Sequence, residues 1–337
     1  MNIDETKKNI FDLIQKYFDE KNKDNIDNEK DNSKIGVAYP CFDHKEINSA
    51  LDSLLDLRIS QGEKVLNFEN NFSSYIGMKK GVAVNSGSSA NLLAISALVK
   101  IGYVKPGSEV IVPSATFTTV ISPIIQCGLV PAFVDIDLDS YNIDPQKIKN
   151  AINKNTGLIM PVHSLGLPAN MDEIMSISEK NGIPVLEDCC EAHGSSINDK
   201  KVGSYGLANA FSFFVAHNMT SGEGGMVLTN DEKLENLMRS MREFGRLTNY
   251  ESDKKRFSYS DTHLSEYDER YVFKYIGYNI RMTDIAASLG IEQLKKLDDF
   301  NSVRIDNANK ITKALSKFEE LILPSVPKNY FHSFYEL

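Results

Sequence analysis

Apolar residues in this chain fall into short blocks separated by longer stretches in which they recur every third or fourth position. The blocks are residues 82–84, 110–112, 132–134, 158–162, 184–187, 210–213 and 226–228. Runs this short, rich in Val, Ile and Phe, predict strands covered on both faces. Between several of them lie segments of helical period, at 90–100, 145–152 and 171–181. The alternation predicts an α/β fold, a mostly parallel sheet with helices on both faces. Sheets of this kind carry ligands at the carboxyl ends of their strands.

The flanks read differently. Ile10, Phe11, Ile14, Tyr17 and Phe18 are spaced as one face of an amphipathic helix over residues 3–18. Residues 20–34 are almost wholly polar and predict a linker or a solvated surface segment, so 1–34 stand apart from a large domain at 35–246. Helical period continues from Asn230 through Arg242. A polar, Tyr-rich stretch at 247–270 predicts a loop or insertion. The remainder, 271–337, is helical over 283–315 and turns strand-like after Leu323.

Composition narrows the function classes. The 337 residues hold 37 Lys and Arg against 46 Asp and Glu, a net charge of −9, which argues against a nucleic-acid partner or an anionic membrane. No apolar run is long enough for a membrane span and the polar start lacks a signal-peptide core, so the expectation is a soluble cytoplasmic protein. The four cysteines, Cys41, Cys127, Cys189 and Cys190, lack the density of a disulfide scaffold and the spacing of a zinc site. No metal site is expected.

Four segments could carry chemistry. Asn85-Ser86-Gly87-Ser88-Ser89-Ala90-Asn91 follows a strand and opens an apolar helix. Small residues there let N–H groups and hydroxyls close on a phosphate at the positive end of the helix dipole, although such turns also serve as plain caps. Glu187 and Asp188 end a strand built for burial, where a carboxylate needs a cationic or hydrogen-bonding partner. A protonated pyridine nitrogen would serve, and so would an arginine elsewhere in the fold. Phe117, just past another strand, could lie against a flat ring or belong to the core. Residues 211–225 leave a strand, pass a single histidine, His217, and end in Ser-Gly-Glu-Gly-Gly before the next strand.

Together, in this order, these segments resemble the DegT/DnrJ/EryC1/StrS family of sugar-nucleotide enzymes, from about residue 35 to the end. The resemblance implies the aspartate aminotransferase-like fold, fold type I of the enzymes that use pyridoxal phosphate. It implies that Gly87, Ser88 and Ser89 hold the phosphate of pyridoxal or pyridoxamine phosphate, with Ser212 as a further contact. Asp188 would pair with the pyridine nitrogen, Glu191 would lie near the ring hydroxyl, and Phe117 would stack on the ring. Gly277-Tyr278-Asn279-Ile280-Arg281-Met282-Thr283-Asp284 matches a motif whose asparagine, Asn279, reaches the neighbouring subunit's site, which implies a homodimer.

One departure sets the expected chemistry. Aminotransferases of the family carry a lysine where this chain has His217, and an imidazole cannot form that lysine's Schiff base with the cofactor. Histidine there resembles the branch that removes the C3 hydroxyl of nucleotide-linked 4-keto-6-deoxy sugars in dideoxysugar and O-antigen biosynthesis. His217 would then be the catalytic base and acid. Within that branch one type adds a [2Fe–2S] cluster and a reductase. Residues 242–271, where that type has its cysteines, contain none here, so no iron–sulfur cluster is expected. The other type takes an amino group from L-glutamate. Family members normally continue into a small carboxyl-terminal domain, of which this chain carries only the start, a truncated small domain in the sequence given or one that is lost. Two alternatives stand beside the dehydratase: an unusual aminotransferase on the same substrates, and a silent homologue that binds the cofactor or sugar nucleotide.

Overall fold

A computed structural model describes residues 2–27, 39–246 and 271–336. The sequence blocks appear as strands β1 (Lys80–Val84), β2 (Glu109–Pro113), β3 (Val130–Val134), β4 (Thr156–Ile159) and β5 (Leu186–Asp188). Two short strands follow, β6 (Ser196–Ile197) and β7 (Lys200–Lys201), and then the last two predicted strands, β8 (Ala208–Ser212) and β9 (Gly225–Thr229). Strands β1-β9-β8-β5 and β3-β2-β4 form two ladders. Parallel bridges Ile159↔Val185 and Val162↔Asp188 join them into one sheet, β1-β9-β8-β5-β4-β2-β3. Only β9 runs against its neighbours, so the sheet is mostly parallel as expected.

The period of two along each strand sorts its side chains between two sides. Val82, Val84, Val110, Val112, Leu158, Ala210 and Val227 enter one cluster with Leu93, Ala94 and Leu98 of α4 (Gly87–Ile101). Their neighbours Ala83, Phe211, Met226 and Leu228 face the opposite way, against Val65, Phe68 and Phe72 of α3 (Glu63–Ile76). Ile111 and Ile159 meet Ile174 and Ile177 of α7 (Met171–Asn181). Burying a side chain of this size stabilises the fold by about 1.5–3 kcal/mol.

The predicted helices at 90–100, 145–152 and 171–181 correspond to α4, α6 (Pro145–Ala151) and α7. The helix after Asn230 is α8 (Glu232–Arg242), capped by Asp231, whose carboxylate accepts from Leu234 N. The helical period at 283–315 divides at Lys295 and Lys296 into α9 (Asp284–Leu294) and α10 (Leu297–Leu315). Helices α2 (His44–Leu55), α3 and α5 (Thr118–Gln126) lie outside the predicted elements; α5 is obscured by β-branched residues and an internal Pro123.

One expectation needs correction. The amphipathic helix expected over 3–18 continues as α1 (Ile3–Asp27), so the polar stretch from residue 20 is a solvated helical segment as far as 27 and not a linker there. Glu20, Lys21, Asn22 and Lys23 are exposed there, and a solvated turn needs no buried face to continue a helix. Residues 28–38, with the expected domain start at 35, and the expected loop at 247–270 lie outside the described residues. The strand-like end yields β10 (Tyr330–Phe331), which pairs antiparallel with β6. No helix among the described residues is long and apolar enough to cross a membrane.

A buried ionic network locks α3 and α8 to β1. Glu69 Oε1 accepts from Arg242 at 2.7 Å and from Ala83 N at 2.8 Å, while Oε2 accepts from Arg239 at 2.8 Å. Arg239 and Arg242 also donate to the carbonyls of Gly81 and Ala83, so this carboxylate is saturated with donors.

Candidate active site

The strand ends converge on a cavity of about 610 Å³. Its wall includes Ser86, Gly87 and Ser88 after β1, Phe117 after β2, Asp188 and Glu191 after β5, Ser212 at the end of β8, and His217. Chain topology thus brings together seven of the residues singled out in the sequence, with Ser86 beside them. Ser89 and Asn279 are not on this wall. The Ser89 hydroxyl accepts from Ser86 Oγ at 3.1 Å, and Asn279 lies exposed, bridged to Glu243.

The serine turn is a helix start. Ser86 caps α4, its hydroxyl accepting from Ser89 N at 3.1 Å, which leaves the first-turn N–H groups of Gly87 and Ser88 for other acceptors. Close packing forces glycine at two places. A Cβ on Gly87 would collide with Ser212 Cβ and approach Cys190 Sγ to 3.0 Å, and one on Gly225 would collide with the Ser86 carbonyl. Phe117, at the start of α5, is 68 % exposed, so its ring faces the opening instead of the core.

The two carboxylates of β5 have separate fates. Glu187 Oε1 accepts from Tyr205 N and Gly206 N at 2.7 Å each; Oε2 accepts from Gly203 N at 2.8 Å and His163 Nε2 at 3.1 Å. His163 Nδ1 in turn accepts from Ala169 N at 3.0 Å, so its proton sits on Nε2. Glu187, His163 and Cys189 bring ligand-type atoms within 4.8 Å of one another. The first two are already filled by hydrogen bonds, and burial holds the Cys189 thiol protonated, so the cluster braces the strand end. Asp188, one residue on, faces the cavity. Its Oδ2 accepts from Asn91 Nδ2 at 2.7 Å and its Oδ1 from Cys190 N at 3.0 Å. Each oxygen keeps a lone pair for a further donor.

His217 lies in the loop after β8. Its Nδ1 is hydrogen-bonded to the Cys190 carbonyl. A carbonyl only accepts, so Nδ1 carries the proton and Nε2 keeps its lone pair. Burial lowers its pKa below the usual histidine value, against the opposing effects of the Cys190 carbonyl and the Asp188 charge. Behind it His193 is wholly buried among Phe72, Phe211 and Phe213, and burial drives its pKa down to about 3. His193 is therefore neutral at physiological pH. Burial pushes the Glu191 carboxyl up, opposed by the hydrogen bond from Leu165 N at 2.8 Å and reinforced by the Asp188 charge.

Sequence reasoning missed several participants. Asn91 stood inside the quoted serine motif, yet only the fold carries the second turn of α4 to Asp188. Glu223, Tyr141 and Tyr335 also line the cavity. Tyr335 returns from the far end of the chain, its N–H donating to the Leu165 carbonyl at 3.0 Å, with its ring 5.3 Å from that of His217. The Ser-Gly-Glu-Gly-Gly run was a visible signal for Glu223; nothing local marked Tyr335.

Comparison with known proteins agrees with this geometry. The chain is 40% identical over 303 residues to a dTDP-4-dehydro-2,6-dideoxy-D-glucose 3-dehydratase of Saccharopolyspora spinosa, covering 86% of this chain and 65% of the relative. It is 38% identical over 291 residues to a GDP-4-keto-6-deoxy-D-mannose 3-dehydratase of Yersinia pseudotuberculosis, covering 82% of this chain and 71% of the relative. The chain thus spans about two thirds of the length of these curated relatives. The solved structure of the E. coli GDP-4-keto-6-deoxy-D-mannose-3-dehydratase with bound hydrated PLP superposes with a TM-score of 0.83 at 34% identity, covering 90% of this chain and 77% of that one. The DegT/DnrJ/EryC1/StrS aminotransferase family pattern matches residues 40–337, and the chain belongs to that family.

Proposed function

We propose that this protein is a sugar-nucleotide 3-dehydratase that uses pyridoxal or pyridoxamine phosphate to remove the C3 hydroxyl of a nucleotide-linked 4-keto-6-deoxyhexose. The single observation that carries the reading is His217 on the same cavity wall as an Asp188 whose carboxylate still has room for a donor. The residues fit the cofactor. Gly87 and Ser88 offer N–H groups at a helix start, Ser212 packs beside them, Phe117 presents a ring, and Asp188 is a buried anion suited to a protonated pyridine. When bound, the cofactor supplies an electron sink for breaking bonds beside its imine carbon.

The chain's own residues then have defined tasks. Asp188, fixed by Asn91 and the Cys190 N–H, keeps the pyridine nitrogen protonated. Phe117 would lie against the ring and the serine turn would hold the phosphate. Glu191, its carboxyl made less acidic by burial, can share a proton with the ring oxygen. His217 Nε2 takes a proton from carbon, which its free lone pair permits. The resulting imidazolium can deliver that proton to the departing C3 hydroxyl, which leaves as water. L-Glutamate is the proposed amino donor that restores the pyridoxamine form. Asn279, exposed in one chain, is assigned to the phosphate site of a neighbouring copy in a homodimer of the cytoplasm.

The aminotransferase alternative lacks its lysine at 217. Incubation with pyridoxamine phosphate and nucleotide-linked 4-keto-6-deoxy sugars, followed by mass spectrometry, tests the reading. Loss of water is expected. An amino sugar would instead indicate transamination, and an unchanged substrate a silent homologue. Stoichiometric iron with acid-labile sulfide in the purified protein would contradict the assignment to the cluster-free type.

A further inference from the structure

His217 sits in a loop, and a loop side chain held by one hydrogen bond can turn about its χ angles. The base of this loop is closed by its own backbone. Phe213 N donates to the Gly224 carbonyl at 2.8 Å, and Ser221 N and the Thr220 hydroxyl donate to the Phe213 carbonyl at 3.0 Å each. None of these bonds reaches the imidazole. The next residue, Asn218, supplies a second hold. Its side chain is buried, and its Nδ2 donates to Asn301 Oδ1 at 3.2 Å and to the Ser333 carbonyl at 3.3 Å. Asn301, wholly buried on α10, donates in turn to the His193 carbonyl at 2.8 Å.

These bonds close a ring. His217 Nδ1 reaches the Cys190 carbonyl, Asn218 reaches Asn301, and Asn301 reaches the carbonyl of His193, three residues after Cys190. The turn after β5 thus grips the His217 loop at two places, once through the imidazole and once through α10. A carbonyl only accepts, so His193 fixes which way the Asn301 amide faces, and Asn301 Oδ1 fixes the Asn218 amide. The Ser333 carbonyl requires the same orientation of Asn218. Ser333 is itself pinned: its N–H donates to the Gly166 carbonyl at 3.2 Å, and the Ser195 hydroxyl donates to its hydroxyl at 2.8 Å. Neither asparagine lines the cavity, so their effect on chemistry must pass through His217.

A base at this position needs an unprotonated Nε2. The hydrogen bond made by one ring nitrogen sets the state of the other, so contact of Nδ1 with the Cys190 carbonyl is what keeps the lone pair on Nε2. An imidazole that left this carbonyl for water could place its proton on Nε2 instead, and would then present a donor where an acceptor is needed.

We propose that Asn218 and Asn301 are positioning residues for His217: their paired amides keep the imidazole on the Cys190 carbonyl, so that Nε2 holds its lone pair for the reaction. What that lone pair does rests on the function proposed above; the hold itself is read without substrate.

Nitrogen-15 NMR of protein labelled at its six histidines reads the tautomer, with His217 assigned by its absence from His217→Asn and the pH held at about 8, where imidazole is neutral. Wild type is expected to carry the His217 proton on Nδ1. Asn218→Ala is expected to shift it toward Nε2 and to lower kcat by about 10–100-fold, the size of effect that a small misplacement of a reacting group produces, with KM and pyridoxal phosphate affinity within about twofold. Asn301→Ala is expected to do the same, and the double variant no more than either alone. On a His217→Asn background Asn218→Ala should cost no further activity, because no imidazole is left to hold. A general structural role would lower activity there as much as in wild type, and that result overturns the proposal. An unchanged tautomer in both alanine variants overturns it, as does a wild-type His217 with its proton on Nε2. If Asn218→Ala does not fold, Asn301→Ala and the wild-type tautomer decide. Wild type that dehydrates no sugar nucleotide yet shows the expected tautomers would remove the proposed function and leave the hold established.

Discussion

The side-chain amide of Asn91 donates to Oδ2 of Asp188 at 2.7 Å, joining the second turn of the helix after β1 to the end of β5. The bond fixes the carboxylate's rotation. Asn91 is itself buried, so neither partner can turn to water.

Replacing the anion should therefore cost more than replacing its support. Asp188→Asn is expected to weaken pyridoxal phosphate by roughly tenfold to a hundredfold, as loss of a charged hydrogen bond does, and to abolish dehydration. Asn91→Ala should weaken it by about tenfold or less. Fluorescence titration of the cofactor measures both, and equal losses would mean that Asp188 acts only through its rotamer.

His217→Asn should leave cofactor affinity near wild type and slow dehydration by about 10²–10⁴-fold, the range for removing a general acid–base. As a base His217 works when neutral, and its pKa lies below the usual value because of burial. The acid limb of kcat/KM should then fall below about pH 6.5, the ordinary histidine value. Borohydride should fix no cofactor within residues 211–225, a stretch without lysine. Peptide mapping of the reduced protein checks this.

Glu69→Ala should destabilise the fold by about 3–5 kcal/mol, because Arg239 and Arg242 would stay buried without their shared carboxylate. Urea denaturation gives the number. A loss under about 1 kcal/mol would show that the arginines find other partners.

Mixed dimers test the assignment of Asn279. Asn279→Ala and Asp188→Ala chains should each bind cofactor poorly. If Asn279 serves the neighbouring copy, a heterodimer contains one site with both defects and one with neither, so mixing restores binding at one site per dimer. Restoration at no site would place Asn279 in its own chain's site, and an Asn279→Ala chain that binds cofactor normally by itself would place it outside any.

Much of this arrangement is legible in the chain alone. Strand blocks and the helices between them follow from local periodicity, since an alternating or 3.6-residue pattern needs only neighbouring residues to be recognised. The serine turn, Asp188 and His217 were visible because each sits where a strand ends, and parallel strands end together on one edge. Residue 217 itself, an imidazole where the family's aminotransferases hold lysine, determined the expected chemistry without any coordinates.

Tertiary structure decided what local pattern cannot encode. It separated Glu187, which accepts four hydrogen bonds within the fold, from Asp188, whose lone pairs face the cavity; adjacent carboxylates in a strand point to opposite faces, but only packing determines which face is filled. It turned the Ser89 hydroxyl toward Ser86 and carried α1 past its apolar stripe. It also brought Tyr335 beside His217, residues separated along the chain by more than a hundred positions, and joined α10 to the His217 loop through the amides of Asn218 and Asn301. Such contacts depend on strand order and on the return of the last segment over the sheet edge, and no repeating pattern in the sequence specifies either.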